Sequence, residues 1–176
     1  REVRGGRWKG WGPTHLLGRH ATGLTLGIIG MGRIGRAVAR RAHHGFGMRI
    51  LCCSRSPVSS AELAAVGAEQ RATLEALLIE SDVVSLHCPS TAETRGLMNN
   101  TRFALMKPGS YLINTARGDV VDDDALIAAL MSGHLAGAGL DSYCSEPAVD
   151  RRFLGMENVV LLPHLGSATR ETREAM

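Results

Sequence analysis

Three ionisable side chains, Arg117, Glu146 and His164, each come shortly after an apolar run that is typical of a β-strand. The carboxyl ends of parallel strands meet at one edge of a sheet, so we expect these side chains at a common rim. An arginine can hold a carboxylate and polarise a carbonyl, and a histidine, which titrates near neutral pH, can protonate the alkoxide formed when hydride arrives. A neighbouring glutamate favours the protonated ring and holds it in place. The set predicts reduction of a 2-keto acid beside a nicotinamide.

A glycine-rich turn, Gly30-x-Gly32-x-x-Gly35, follows the apolar run at 26–29 and leads into residues 33–42, which favour a helix and contain no breaker. The first glycine allows a tight turn, the second lets the backbone approach a pyrophosphate, and the third lets the helix pack closely on the strand. The N–H groups and dipole of the helix would then face an anion. A turn that binds nothing is the alternative. We predict a dinucleotide site that also includes Met31, Arg33 and Ile34.

The end of the second predicted strand indicates which dinucleotide is bound. An acid that holds a ribose hydroxyl is expected there, but the run at 48–53 ends in Ser54, Arg55 and Ser56. These side chains can donate hydrogen bonds to a 2′-phosphate, which an aspartate would repel. The segment therefore favours NADP(H) as cofactor, with NAD(H) possible. In the alternative interpretation, Arg55 is a solvated loop arginine.

Strand-like and helix-like runs alternate from residue 24 onward, a pattern that predicts a parallel sheet. The fold class expected is α/β, a doubly wound, Rossmann-type parallel sheet in three α/β/α layers. The predicted strands lie at residues 26–29, 48–53, 68–71, 82–87, 111–114, 135–140 and 158–162. The predicted helices lie at residues 33–42, 60–66, 74–80, 101–106 and 125–131, with a further one beginning within 167–176.

Three consecutive acids precede the predicted helix at 125–131. Asp122 can cap this helix, Asp123 and Asp124 suit the positive end of its dipole, and Gly133 lies where a C-terminal cap is wanted. Three carboxylates in a row could also suggest a metal, but their position at a helix start favours capping. No metal site is predicted.

Composition limits the class of protein. The 176 residues are 44% hydrophobic and 21% charged, which favours one globular domain. The net charge of +3 is small and the basic residues are scattered, so no nucleic-acid partner is expected. Four cysteines without C-x-x-C spacing favour a reduced, cytoplasmic compartment. Neither a secretory signal nor a membrane-length apolar run is visible in the sequence, so no membrane partner is expected.

Several longer motifs occur together in one order. They are GIIGMGRIG at 27–35, HCPSTAET at 87–94, MKPG at 106–109, NTARG at 114–118, GLD at 139–141, Glu146-Pro147, and PHLGSAT at 163–169. With these motifs, the chain resembles the NAD(P)-binding domain of the D-isomer-specific 2-hydroxyacid dehydrogenase family, and within it the glyoxylate/hydroxypyruvate reductase branch. The match covers nearly the whole chain, so residues 1–176 are identified as one such domain.

The resemblance implies functional roles for particular residues. Arg117, Glu146 and His164 would form the catalytic set, and Asp141 would lie near the nicotinamide carboxamide. It also implies a small 2-keto acid as substrate and a homodimer built on this domain. Cofactor contacts are implied for Arg117 and His164 as well, and for Cys88, Pro89, Thr94, Thr115, Ala116 and Gly166.

The chain departs from the family pattern at two places. Asp-Val-Phe usually precedes the glutamate segment, whereas residues 141–144 are Asp-Ser-Tyr-Cys, which bears on the packing beside Glu146. The helix after Gly35 is a residue longer around 43–45, which shifts the alignment of Ser54 by one position.

Family members also carry a second, substrate-binding domain, made from segments on both sides of this one. The core is therefore expected at about 24–166, with residues 1–23 and 167–176 leading toward a substrate domain absent from this chain. Without a domain that closes over the nicotinamide, we expect nucleotide binding with little catalysis.

The sequence is also compatible with other functions. One is a non-enzymatic NAD(P)H-sensing module, like the transcriptional corepressors that share this fold, and another is a 2-hydroxyacid dehydrogenase of the same family that uses NAD. Glu146 argues against an assignment as formate dehydrogenase, because that branch of the family uses a glutamine at this position. Taken singly, the arginine, glutamate and histidine would each have a structural explanation as surface, loop or strand-end residues.

Overall fold

The computed structural model describes residues 2–176, and its centre is a seven-stranded sheet in which every neighbouring pair is parallel. The strand order is β3-β2-β1-β4-β5-β6-β7, so the winding direction reverses between β1 and β4. Ligands bind beside such a reversal in open α/β sheets. The strands are β1 (Thr25–Ile29), β2 (Arg49–Cys53), β3 (Ala68–Gln70), β4 (Val83–Leu86), β5 (Ser110–Asn114), β6 (Leu135–Leu140) and β7 (Val159–Leu161).

Helices cover both faces of the sheet, because alternate strand residues face opposite sides. Ile28 and Cys52 pack in one apolar cluster with Ala39 of the first helix, whereas Ile29 and Leu51 belong to a larger cluster on the other face. The predicted α/β/α layering is thereby confirmed. The helices are α1 (Arg33–Phe46), α2 (Ser60–Ala64), α3 (Leu74–Glu80), α4 (Asn100–Leu105), α5 (Asp123–Met131), α6 (Arg151–Leu154) and α7 (Arg170–Ala175), with a 3-10 turn at Gly118–Val120.

Local capping explains where the helices begin and end. Asp122 accepts a hydrogen bond from the Ala125 amide (3.1 Å), which confirms its predicted role as the cap of α5. Helix α1 extends beyond the residues 33–42 predicted to favour a helix. It continues to Phe46 because Gly47, at φ +61°, is the first left-handed residue able to close it. The sequence patterns also missed α6, a single turn capped by Asp150.

None of the helices within residues 2–176 is both long enough and apolar enough to cross a membrane.

Candidate active site

The predicted glycine turn joins β1 to α1. The space that a side chain would meet differs at each of its three glycines. Gly30 has a φ of +97°, and a Cβ there would lie 2.7 Å from backbone atoms of His87 and Cys88, just after β4. A Cβ on Gly35 would collide with the carbonyl oxygen of Gly30, so α1 lies directly against the turn. A Cβ on Gly32 would instead meet no other atom within 4 Å. The space over Gly32 is therefore open.

The helix N-terminus at this open space can hold an anion. Gly32 is the N-cap of α1 and forms no side-chain cap, and the first turn of α1 contains no acidic residue. Its first N–H groups and the positive end of its dipole are therefore free to bind negative charge. Arg33 and Ile34 are exposed at this turn, whereas Met31 is buried. The chain's own residues thus fit the pyrophosphate of a dinucleotide.

A groove extends from this turn past the carboxyl ends of β2 and β4, and we call it the cofactor groove. It brings together half of the cofactor-binding residues predicted from the sequence. They are Gly30, Met31, Gly32, Ser54, Arg55, Ser56, Cys88, Pro89 and Thr94.

The β2 end of the cofactor groove carries hydroxyls and a guanidinium. Arg55 and Ser56 are exposed and Ser54 is partly buried. Across the groove, the pKa of Glu93 is lowered, chiefly by the hydrogen bond from the Thr91 hydroxyl (2.6 Å) and in smaller part by the charge of Arg55. Arg55 lines the groove together with Thr91 and Thr94.

Thr94 shapes the facing wall of the groove. Its hydroxyl donates to the Pro89 carbonyl (2.6 Å) and accepts a hydrogen bond from the Thr91 amide (2.8 Å). These bonds close the loop that follows β4, so the side chain of Thr94 acts on the groove through the backbone it holds.

A second depression lies at the carboxyl ends of β5, β6 and β7, and we call it the polar cleft. It brings Arg117, Glu146 and His164 together, as their positions after strands predicted. Pro89 lines the cofactor groove and the next residue, Ser90, lines the polar cleft, so the two adjoin. The lining residues of the polar cleft are Ser90, Arg117, Gly118, Asp119, Tyr143, Cys144, Glu146 and His164.

Glu146 and His164 form a hydrogen-bonded pair in the polar cleft. Nδ1 of His164 lies 2.8 Å from Oε2 of Glu146, and Oε1 of Glu146 accepts a hydrogen bond from the Tyr143 amide (2.9 Å). The bond to His164 is the main cause, and the Tyr143 amide the second, of a lowered pKa for the Glu146 carboxyl. The carboxylate thus stays ionised at neutral pH and engages one ring nitrogen, which leaves Nε2 for a substrate.

Buried Asp141 holds the loop that carries His164. Its two carboxylate oxygens accept hydrogen bonds from the backbone amides of Leu165 (2.7 Å) and Gly166 (2.8 Å). His164 itself has a φ of +54°, a left-handed conformation that a histidine adopts infrequently. Two charge-assisted bonds from the adjacent residues compensate for this conformation, so the ring is fixed in the cleft.

Arg117 is positioned by Asn114, the buried last residue of β5. The Asn114 side chain accepts from the Ala116 amide and donates to the Arg117 carbonyl, both at 3.0 Å. A Cβ on the next residue, Gly118, would collide with the backbone of Tyr143 and Cys144. The loop that carries Arg117 is therefore in direct contact with the loop that carries Glu146.

Tyr143 stands where the resemblance implies a phenylalanine, and its hydroxyl holds the strand ends beside Glu146. The hydroxyl donates to the Leu162 carbonyl (2.8 Å) and lies 3.2 Å from the Leu140 carbonyl. Burial raises the pKa of Tyr143, so the hydroxyl keeps its proton. The side chain thus ties the ends of β6 and β7 together below the Glu146–His164 pair.

Known proteins with the same sequence pattern identify the family. The D-isomer specific 2-hydroxyacid dehydrogenase, NAD binding domain family matches residues 1–166. This chain belongs to that family. Its glycine turn and anion-binding helix are accordingly those of a nicotinamide-dinucleotide-binding domain, and the resemblance seen in the sequence is confirmed.

Relatives of the family include glyoxylate reductases. The enzyme of Thermococcus litoralis is 51% identical over 178 residues, which is 99% of this chain and 53% of the relative, and that of Pyrococcus furiosus is 52% identical over 99% of this chain and 52% of the relative. A crystal structure from a Polaromonas species, assigned to the same dehydrogenases, is 49% identical with a TM-score of 0.96 and covers 99% of this chain and 54% of that one. The chain therefore spans about half the length of the relatives it matches.

The structure also places residues in the cofactor groove that the sequence reasoning missed or left open. Leu74 and Arg102 come from the starts of α3 and α4, and Leu97 comes from the segment that precedes α4. These residues reach the groove through the packing of helices, which no local sequence motif predicts. His87, left as a possible groove residue, does line it, and burial lowers the pKa of its ring, which contacts the Ser85 hydroxyl at 2.9 Å.

The remaining predicted contacts lie at the ends of the strands that border the polar cleft. Thr115 is exposed and Ala116 buried after β5, and Gly166 follows β7 with its amide bonded to Asp141. Their contact with a cofactor stays a prediction. Residues 2–176 contain no group of three or more His, Cys, Asp or Glu side chains placed to hold a metal ion.

Proposed function

We propose that this chain is the cofactor-binding and catalytic half of an NADP(H)-dependent reductase of small 2-keto acids, such as glyoxylate or hydroxypyruvate. One observation carries the proposal: Arg117 shares a cleft with a His164 ring that lies 2.8 Å from the Glu146 carboxylate. The names of the Thermococcus and Pyrococcus relatives, both glyoxylate reductases, support the substrate class.

Each side chain has a distinct role in this proposal. The guanidinium of Arg117 binds the substrate carboxylate and polarises the carbonyl oxygen, where negative charge develops. Nε2 of His164 donates the proton to that oxygen, and ionised Glu146 stabilises the protonated ring and fixes its orientation. The nicotinamide supplies the hydride when it is bound.

Preference for NADP(H) over NAD(H) is proposed from the β2 end of the cofactor groove. Ser54, Arg55 and Ser56 offer donors and a positive charge where an NAD-specific protein would place a carboxylate. A 2′-phosphate would find a charge-assisted partner in Arg55, whereas NADH would leave that charge unused.

A second domain is proposed to complete the active site. Relatives are about twice as long as this chain, so we place the cofactor-binding core at about 24–166, with residues 1–23 and 167–176 leading toward a substrate domain. Because the polar cleft is open here, the isolated chain should bind nucleotide but turn over little substrate.

We also propose a homodimer in a reducing, cytoplasmic compartment. The N-terminal segment exposes large apolar side chains, with Trp11 at 85% and Leu17 at 75% exposure, which a second copy could cover. Cys52, Cys53, Cys88 and Cys144 are all free thiols. Light scattering on the purified chain tests the first statement, since a monomer at micromolar concentration would contradict it.

The deciding experiment measures cofactor oxidation by the full-length protein with glyoxylate, hydroxypyruvate and pyruvate, using NADPH and NADH in parallel. We expect turnover of the 2-keto acids and a preference for NADPH that Arg55→Ala lowers about tenfold or more. An equal rate with both cofactors would contradict the cofactor assignment alone. Tight NADPH binding with no turnover of any 2-keto acid would instead favour a sensing module.

A further inference from the structure

Ser90 and Asp119 form a hydrogen-bonded pair on the wall of the polar cleft, although none of the steps above uses them. The Ser90 hydroxyl donates to Oδ2 of Asp119 at 2.6 Å. Ser90 lies in the loop after β4 and Asp119 in the 3-10 turn after β5, two residues beyond Arg117. The pair therefore lines the same cleft as Arg117, Glu146 and His164.

The atoms that the pair leaves for a ligand are acceptors. Ser90 donates its hydroxyl proton to Asp119, so the Ser90 oxygen can only accept a hydrogen bond from a ligand. Oδ2 of Asp119 also meets Nε of Arg95 (3.3 Å), whereas no side chain within residues 2–176 donates to Oδ1. Because the Arg95 side chain is 71% exposed, water screens its charge and weakens its pairing with the Asp119 carboxylate.

These acceptors complement one feature of a substrate held by Arg117 and His164. A 2-keto acid whose carboxylate is held by the arginine presents its third carbon to the rest of the cleft. We propose that Ser90 and Asp119 are specificity-determining residues, which accept a hydrogen bond from a hydroxyl on that carbon and repel a second carboxylate there. This inference rests on the proposed function, because it assumes that 2-keto acids bind in the polar cleft.

The chemistry predicts an order among substrates. A 3-hydroxy-2-keto acid such as hydroxypyruvate satisfies the acceptors, pyruvate places a methyl group against them, and a dicarboxylic 2-keto acid such as oxaloacetate meets the Asp119 charge. Sites that hydrogen-bond a substrate hydroxyl reject analogues without it strongly when buried. Here Asp119 is 32% exposed, so we expect a preference for hydroxypyruvate over pyruvate of about tenfold.

The test compares ratios of kcat/KM in the full-length protein, with glyoxylate, which has no third carbon, as the reference substrate. Ser90→Ala is expected to lower the hydroxypyruvate-to-glyoxylate ratio about tenfold, and Ser90→Thr to retain it. Asp119→Asn is expected to raise the oxaloacetate-to-pyruvate ratio several-fold. Ser60→Ala, an exposed serine at the start of α2, is the matched control and leaves all ratios unchanged.

A scaffold role for the pair would give a different result. If Ser90→Ala and Asp119→Asn lower the rates with all substrates equally and lower the melting temperature, the pair ties two loops together and the specificity proposal is overturned. Unchanged ratios in well-folded variants would overturn it as well. Absence of glyoxylate turnover in the unmodified protein would show that the proposed function itself has failed, and the inference with it.

Discussion

The cofactor groove and the polar cleft lie side by side at one edge of the sheet, but they are built in opposite ways. The groove is shaped by missing side chains: Gly30 and Gly35 are places where a Cβ would meet backbone, and Gly32 leaves open space before a helix N-terminus. The cleft is shaped by side chains that hold loops together, as the bonds of Asp141 and Tyr143 show. Backbone recognition suits a phosphate, and side-chain networks suit proton transfer.

This contrast predicts different responses to mutation. Adding a methyl group to the groove should damage binding, whereas removing a functional group from the cleft should damage turnover and spare binding. The predictions below run from the largest expected effect to the smallest.

Gly35→Ala should strongly weaken NADPH binding by the isolated chain. The new Cβ would press on the Gly30 carbonyl oxygen and displace α1 from the turn, with a loss of stability of about 1–3 kcal/mol and an affinity loss of about 100-fold or more. Fluorescence titration of NADPH measures it. Gly155→Ala is the matched control, because its Cβ would meet nothing within 4 Å and its φ is −91°. Similar affinities for the two variants would contradict the packing argument.

Glu146→Gln should lower turnover tenfold or more, because the variant loses the ion pair between the carboxylate and the protonated His164 ring. The amide can keep the contacts to His164 and Tyr143 but removes the charge. The hydrogen bond from His164 lowers the pKa of the Glu146 carboxyl, so the unmodified protein should lose kcat/KM only in acid, as the pH falls and the carboxylate is protonated. The variant has no carboxyl to protonate there, so this loss in acid should be absent. Full activity with an unchanged pH profile would remove Glu146 from the mechanism.

Tyr143→Phe should have a smaller effect, confined to the cleft. The substitution removes the hydroxyl that bonds the Leu162 carbonyl, which costs about 1 kcal/mol of stability and loosens the strand ends below Glu146 and His164. We expect turnover to fall by a factor of about three with unchanged NADPH affinity, measured by steady-state kinetics and titration. A parallel loss of NADPH affinity would mean that groove and cleft are not separable at this residue.

Asp123→Asn should leave both regions intact and slightly stabilise the fold. Burial, followed by the charges of Asp150 and Asp122, raises the pKa of Asp123 in the folded chain. A raised folded pKa means that the ionised form is disfavoured by folding, so the variant should melt about 1 to 2 °C higher at pH 7. The difference should vanish at low pH, where Asp123 is protonated in both states. A lower melting temperature at pH 7 would show that the helix dipole outweighs burial.

The same contrast explains what the sequence could predict. The centre of the groove was predictable, because Gly30, Gly32 and Gly35 are close in sequence and belong to one turn between a strand and a helix. The positions of Arg117, Glu146 and His164 after strands predicted a shared rim, since a parallel sheet collects those ends. The Tyr143 hydroxyl bond to Leu162 was not predictable, because it joins residues from loops whose separation only the folded sheet determines. Arg102 and Ser90 were missed for the same reason.

The most direct test of the account replaces His164 in the full-length protein and measures cofactor binding and glyoxylate turnover together. His164→Asn is suited to it, because asparagine tolerates the left-handed backbone at φ +54° but cannot act as a proton donor near neutral pH. We predict that NADPH affinity stays within about twofold while turnover falls about 10²- to 10⁴-fold. Turnover close to that of the unmodified protein, or a loss of NADPH affinity as large as the loss of turnover, would contradict the account.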